Sequence, residues 1–120
     1  MRVGIPTEVK PDENRVALTP SGVTAFRAAG HDVVIQAGAG LVSALRDVTY
    51  ERAGATVVAT ATAVWERADL VLKVKEPMEI EFERMRREHV LFTYLHLAAS
   101  LPLTERLLER RVLAIAYETV

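Results

Sequence analysis

The stretch LVLKVKEP, residues 70–77, decides the fold class of this 120-residue chain. Its leucines and valines form a short, largely apolar run, which predicts a strand from Leu70 to Lys75. Pro77 has no backbone N–H to give to a sheet and ends the run. Apolar strands of this kind are typical of a parallel sheet buried on both faces. The stretch therefore indicates an α/β fold.

Similar runs lie on both sides of this stretch and alternate with helical patterns. The first helix is predicted where Thr19 can cap the chain, Pro20 takes the first helical position and Gly30 suits a left-handed end. The predicted strands are Arg2–Pro6, Asp32–Gln36, Thr56–Val58, Leu70–Lys75, His89–Leu95 and Val112–Tyr117. The other predicted helices are Asp47–Ala53, Ala61–Arg67, Glu79–Arg86 and Leu103–Arg110. This alternation predicts a mostly parallel sheet of about six strands with helices on both faces, Rossmann-like or flavodoxin-like.

Composition narrows the functional classes. Half of the residues are hydrophobic, the formal net charge is −1 and there is no cysteine. These values suit one globular domain over residues 1–120, without disulfides or a nucleic-acid partner. No apolar run approaches the roughly 20 residues of a membrane span, and we expect a cytoplasmic protein. The mixed charges at 81–88 predict a solvated helix face, and the separation of the three histidines predicts no local metal site.

Candidate site residues stand where predicted parallel strands end, because ligands bind beyond the carboxyl ends of such strands. Arg15 follows the first strand, Lys75 closes the fourth, His96 follows the fifth and Glu118 closes the sixth. A guanidinium can grip a carboxylate, an ammonium can polarise a carbonyl and a histidine can move a proton. Each residue also has a structural alternative: a solvated arginine, a lysine that protects a strand edge and a histidine with a structural role.

The glycines at Gly38-Ala39-Gly40 follow the second strand. A dinucleotide-binding loop would have a third glycine where Ser43 stands. We therefore interpret the segment as a tight turn, and the sequence predicts no cofactor-binding residue in this chain.

The motif series resembles the alanine dehydrogenase/nicotinamide nucleotide transhydrogenase family. The matching stretches are GIPTE at 4–8, ENRVA at 13–17, QAGAG at 36–40, LKVKEP at 72–77, FTYLHLAA at 92–99 and AYETV at 116–120. The stretch that contains His96 resembles the alanine dehydrogenases specifically, because transhydrogenases lack this histidine. The stretch 41–47 departs from the family pattern.

This resemblance implies a division of roles. Arg15 would bind the substrate carboxylate, Lys75 would contact the substrate carbonyl or amine, and His96 would be the acid–base residue. Glu8, Tyr94 and Glu118 would be supporting positions. The implied substrates are L-alanine and pyruvate, and the implied assembly is a homo-oligomer, a hexamer in full-length members.

The resemblance also implies NAD, which would be bound by a domain missing from this chain. The leading hypothesis is therefore the amino-terminal substrate-binding domain of an alanine dehydrogenase, catalytically silent alone. A transhydrogenase alpha-subunit-like domain or a saccharopine dehydrogenase relative is one alternative. A stand-alone module that binds small carboxylates is another.

Overall fold

A single sheet organises the computed structural model, which describes residues 1–97 and 100–119. Its six strands are all parallel, in the order β3-β2-β1-β4-β5-β6. They are β1 Arg2–Ile5, β2 Asp32–Gln36, β3 Thr56–Val58, β4 Leu70–Leu72, β5 Val90–Thr93 and β6 Leu113–Ala116. The helices are α1 Pro20–Ala28, α2 Asp47–Ala53, α3 Ala61–Arg67, α4 Glu79–Phe82 and α5 Leu101–Arg110. The predicted α/β class is confirmed.

Alternating side chains on the strands place helices on both faces of the sheet. Val33 and Ile35 of β2 pack in one apolar cluster with Val23 of α1 and Tyr50 of α2. Val34, between them, packs in another cluster with Val64 of α3. The opposite face is extended by a third cluster that includes residues of α3 and α5: Trp65, Leu103 and Leu107. Within the described residues, no helix is both long and apolar enough to cross a membrane.

The signals that start and end α1 act as predicted, and α3 has a similar cap. The Thr19 hydroxyl accepts a hydrogen bond from the Gly22 N–H at 3.2 Å, which satisfies a donor at the start of α1. Gly30 follows α1 with a φ of +88°, a value that glycine adopts without strain. Thr60 caps α3 in the same way as Thr19 caps α1, through the Ala63 N–H.

Several elements end earlier than predicted. The prediction of β4 to Lys75 is wrong because pairing with β1 stops at Val71 and the strand ends at Leu72. The prediction of α4 to Arg86 is wrong because the helix ends at Phe82. Four residues after this end, the Arg86 N–H donates to the His89 ring and not to a helical carbonyl. β5 and β6 are also shorter than predicted, and α5 begins two residues earlier, at Leu101.

A buried cluster of charges joins the loop after β1, the end of β4 and α4. Lys73 Nζ lies 3.1 Å from Glu8 Oε1 and 3.3 Å from Glu81 Oε2, and each of the three side chains is 1% exposed. The expected solvated face at 81–88 is therefore wrong for Glu81. Its second oxygen, Oε1, accepts the Met78 N–H at the start of α4. Burial raises the pKa of Glu81, although the charge of Lys73 opposes this shift.

Replacing Lys73 with methionine would test this cluster. We expect the free energy of unfolding at neutral pH to fall by about 3–5 kcal/mol, because two buried carboxylates would lose their cation. The loss should shrink as the pH falls, since protonation neutralises a buried carboxylate whose pKa is raised in the folded state. Urea unfolding at several pH values measures both effects.

Two further variants provide the controls for this experiment. Adding Glu81→Gln to Lys73→Met should recover part of the stability, because it removes one unpaired charge. Arg52→Met changes an exposed cation on α2 and should have little effect. If Lys73→Met lowered the free energy of unfolding by less than about 1 kcal/mol, the cluster would not be the large contribution to stability proposed here.

Candidate functional site

The candidate site lies at the carboxyl edge of the sheet, where the strand order reverses between β1 and β4. Loops that leave neighbouring strands diverge at such a point and open a crevice. The carboxylate of Glu8 spans it. Glu8 Oε1 accepts the Lys75 N–H at 3.0 Å, and Oε2 accepts the Val74 N–H at 3.0 Å. Backbone pairing between β1 and β4 ends at Val71, and beyond it the Glu8 side chain accepts the backbone N–H groups of Val74 and Lys75.

Arg15, in the loop after β1, is held by one carboxylate and still presents a free edge. Its Nε and Nη2 donate to the two oxygens of Glu13 at 2.9 and 2.8 Å. Hydrogen bonding from the Arg15 side chain is the main cause that lowers the pKa of Glu13 to about 2, with a smaller contribution from the charge of Lys75. The Arg15 side chain is 65% exposed. Within the described residues, Nη1 has no acceptor, so the edge formed by Nη1 and Nη2 can grip a second carboxylate.

An open cleft of about 450 Å³ lies beside Arg15. The loop after β1 and the ends of β4, β5 and β6 contribute Arg15, Val74, Tyr94 and Tyr117 to its lining. The rings of Tyr94 and Tyr117 meet edge to face at 5.0 Å. Burial raises the pKa of Tyr117, so its phenol stays protonated at neutral pH. The cleft therefore combines a cation with aromatic walls, a combination suited to a small organic anion.

The backbone of Lys75 is fixed, whereas its ammonium is available. Its N–H donates to Glu8, and its carbonyl accepts the Thr93 hydroxyl at 2.8 Å. Among residues 1–97 and 100–119, no acidic side chain forms an ion pair with the Lys75 ammonium. Lys73, two residues earlier, is buried and bound to Glu8. The two lysines therefore have different environments, and the edge-protection alternative fails for Lys75 because β4 lies inside the sheet.

His96 lies in the loop after β5, between two carboxylates. Its Nδ1 is 3.3 Å from Glu76 Oε2, and its Nε2 is 3.9 Å from Glu118 Oε2. Glu118 also accepts the N–H groups of Leu95 and His96 at 2.9 and 3.2 Å. These backbone hydrogen bonds, that of Leu95 above all, lower the pKa of Glu118. The His96 ring stacks on Tyr94, with 6.0 Å between the ring centroids.

The predicted residues thus fall into two adjoining groups. Arg15 and Tyr94 line the cleft, whereas Lys75 and His96 are absent from its lining and lie in the segments that follow β4 and β5. Tyr94 connects the groups because it lines the cleft and stacks on His96. The catalytic and binding roles assigned to Arg15, Lys75 and His96 remain predictions.

Two functional candidates were missed by sequence reasoning. Glu13 binds Arg15, and Glu76 contacts both Lys10 and His96. The rule that placed Lys75 at a strand end applies equally to Glu76, the next residue. Glu13 lies two positions from Arg15, so their proximity could have been noticed.

Comparison with known proteins decides the family. The model of the alanine dehydrogenase/PNT N-terminal domain matches residues 4–120. The chain belongs to this family.

Longer proteins named alanine dehydrogenase match the chain over its whole length. The chain is 58% identical to the alanine dehydrogenase of Mycolicibacterium smegmatis and 56% identical to that of Mycobacterium tuberculosis, each over all 120 residues. It covers 32% of the length of each of these relatives. A solved L-alanine dehydrogenase is 46% identical with a TM-score of 0.96, over 98% of this chain and 32% of the other.

The transhydrogenase branch of the family is a more distant neighbour in sequence. The transhydrogenase from Sinorhizobium meliloti is 32% identical with a TM-score of 0.91, over 98% of this chain and 34% of the other. The fold is therefore common to both branches.

The segment Gly38-Ala39-Gly40 does not fit a dinucleotide. It forms a tight turn in which Gly38 has a φ of +80° and its N–H donates to Asp47 Oδ1 at 2.9 Å. The helical segment that follows is one turn, Leu41–Ser43. A pyrophosphate binds to free N–H groups at the start of a helix. The Gly38 N–H is already bound to Asp47, so this turn does not provide such a site.

The pairing of Arg15 with Glu13 predicts an unusual acid titration. Carbon-13 NMR of the Glu13 carboxyl should give a midpoint near pH 2. Because this pKa lies below the usual 4.5, the stabilisation from the ionised carboxylate should be complete above about pH 4.5 and lost as the pH falls to 2. Arg15→Ala should move the midpoint back towards its usual value.

Arg52→Ala is the matched control, since it removes an exposed arginine of α2. It should leave the Glu13 titration unchanged. A Glu13 midpoint that stays the same in Arg15→Ala would show that the hydrogen-bonded pair does not set this pKa.

Proposed function

We propose that these residues form the substrate-binding part of an alanine dehydrogenase. The observation that carries the proposal is the free edge of the Arg15 guanidinium beside an aromatic cleft. Glu13 holds the guanidinium in one orientation, so little side-chain freedom is lost when a second carboxylate binds. A carboxylate of alanine or pyruvate size is the simplest ligand for this edge.

The proposed reaction is the reversible conversion of L-alanine, water and NAD⁺ into pyruvate, ammonium, NADH and a proton. Arg15 binds the substrate carboxylate and fixes its orientation. Lys75 donates a hydrogen bond to the carbonyl oxygen of pyruvate, where negative charge develops as the carbonyl is attacked. His96 accepts or returns a proton during carbon–nitrogen bond formation and cleavage.

NAD, which supplies the hydride chemistry when bound, would be held by a domain outside these residues. The occupied N–H of Gly38 supports this division. We also propose a homo-oligomer, for which the exposed Leu113 and Ile115 of β6 provide apolar contact surface.

A titration of the 15N-labelled chain with pyruvate tests the substrate site. We expect pyruvate-selective shifts of the backbone amides at Arg15, Lys75 and His96, with smaller shifts from acetate, which lacks the carbonyl. Arg15→Ala should abolish them, because the carboxylate would lose its bidentate partner.

Arg52→Ala again serves as the control and should retain the pyruvate response. Shifts that cluster elsewhere, or equal responses to acetate and pyruvate, would rule out this site. No shift at all would mean that these residues alone do not bind pyruvate.

We further expect the 120-residue chain to form no NADH from L-alanine and NAD⁺. The physical reason is that the described residues offer no place to hold the nicotinamide against the substrate. The absorbance of NADH measures the reaction, with a complete alanine dehydrogenase as the positive control. Turnover by the purified chain would contradict the division between the two domains.

A further inference from the structure

Glu76 occupies a position that the proposed mechanism does not yet use. It follows Lys75 in the connection between β4 and α4, and its side chain is only 14% exposed. The two oxygens of its carboxylate have different partners. Oε1 lies 2.5 Å from Lys10 Nζ, and Oε2 lies 3.3 Å from His96 Nδ1. Glu76 therefore joins the loop after β1 to the loop after β5.

The charge state of Glu76 decides which atom donates in its contact with His96. Burial alone would raise its pKa, but hydrogen bonds from Lys10, from its own backbone and from His96 outweigh burial and lower the pKa. The carboxylate is therefore ionised at neutral pH and can only accept hydrogen bonds. The hydrogen of this contact must then be carried by His96 Nδ1.

We propose that Glu76 is the positioning residue for His96 and holds its neutral ring in the Nδ1–H tautomer. Nε2 then keeps the lone pair with which the ring accepts a proton. The inference rests on the proposed function for its purpose, but its geometry is independent of the substrate. A carboxylate bound to one ring nitrogen fixes the tautomer and orientation of a histidine in many catalytic and metal sites.

Three other groups around His96 are compatible with this tautomer. Glu118 Oε2 is 3.9 Å from Nε2, beyond hydrogen-bond distance, so it does not fix a proton there. When Nε2 takes up a proton, the negative charge of Glu118 would stabilise the imidazolium. Tyr94 stacks on the ring face, a contact that does not use either ring nitrogen as a donor or acceptor. Lys10 acts through Glu76, because its ammonium anchors the carboxylate that holds Nδ1.

Long-range proton–nitrogen correlation spectra of the 15N-labelled chain test the proposal directly. At a pH where the His96 ring is neutral, the wild-type Nδ1 should show the nitrogen shift of a protonated ring atom, and Nε2 that of an unprotonated one. Glu76→Ala should move the ring towards the Nε2–H tautomer, which predominates in free histidine. Glu76→Gln should also favour Nε2–H, because the Lys10 ammonium requires its single amide oxygen and its NH2 group then faces Nδ1 as a donor.

Two more variants complete the experiment. Glu105→Ala removes an exposed glutamate of α5 and should leave the His96 tautomer unchanged. Lys10→Met keeps the Glu76 carboxylate but removes its anchor, so we expect a mixture of the two tautomers. It also provides a second test if Glu76→Ala does not fold.

The outcomes separate this proposal from the proposed function. A wild-type ring in the Nε2–H form would overturn the role of Glu76, as would a Glu76→Ala ring that stays Nδ1–H. These spectra need no pyruvate, so a failed pyruvate titration would not change their result. Conversely, pyruvate-selective shifts together with an Nε2–H ring in the wild type would support the substrate site but contradict the positioning role of Glu76.

Discussion

The buried ammonium of Lys73 is the constraint on which the crevice depends. It lies between Glu8 and Glu81, and none of the three charges can reach water. A buried charge without a partner is costly, so the loop after β1 must stay folded against the end of β4. That loop also carries Arg15, and the same Glu8 carboxylate holds the backbone of Lys75. The cluster therefore fixes the backbone positions of Arg15 and Lys75, two of the proposed substrate contacts.

At the carboxyl edge of the sheet, carboxylates hold the loops and the candidate site residues in place. Glu13 holds Arg15, Glu76 holds Lys10 and contacts His96, and Glu118 holds the backbone at His96. Along β1, β4, β5 and β6, each loop is tied to its neighbour by such a contact. Arg15 and His96 are thus held by a carboxylate on one side and open on the other, an arrangement that leaves them ready for a ligand.

The sequence predicted where the strands and helices lie better than where they end. Apolar runs and glycine or proline signals located β2, α2 and α3 to the residue. The prediction ran too far at β4 and α4. Beyond the observed ends of these elements, side chains take backbone N–H groups that the longer elements would have used: Glu8 at Lys75, and His89 at Arg86. Such contacts join residues distant in the chain or in a turn, and periodicity does not reveal them. For the same reason Glu81 looked like a surface residue, and the placement of Arg15, Lys75 and His96 at one edge was predicted without their partners.

His96 has a φ of +51°, in the left-handed region that side chains other than glycine enter at a cost of about 1–2 kcal/mol. The N–H groups bound by Glu118 help to hold the chain in this conformation. Under the proposed role of His96, position 96 is therefore one where stability and chemistry favour different residues. In a library randomised at this codon, selection of the domain for thermal resistance should enrich glycine, whereas selection for turnover in a full-length alanine dehydrogenase should keep the imidazole if His96 has the proposed role. Substitutions intended to raise the thermal stability of this domain should avoid position 96 and be made on the exposed faces of the helices.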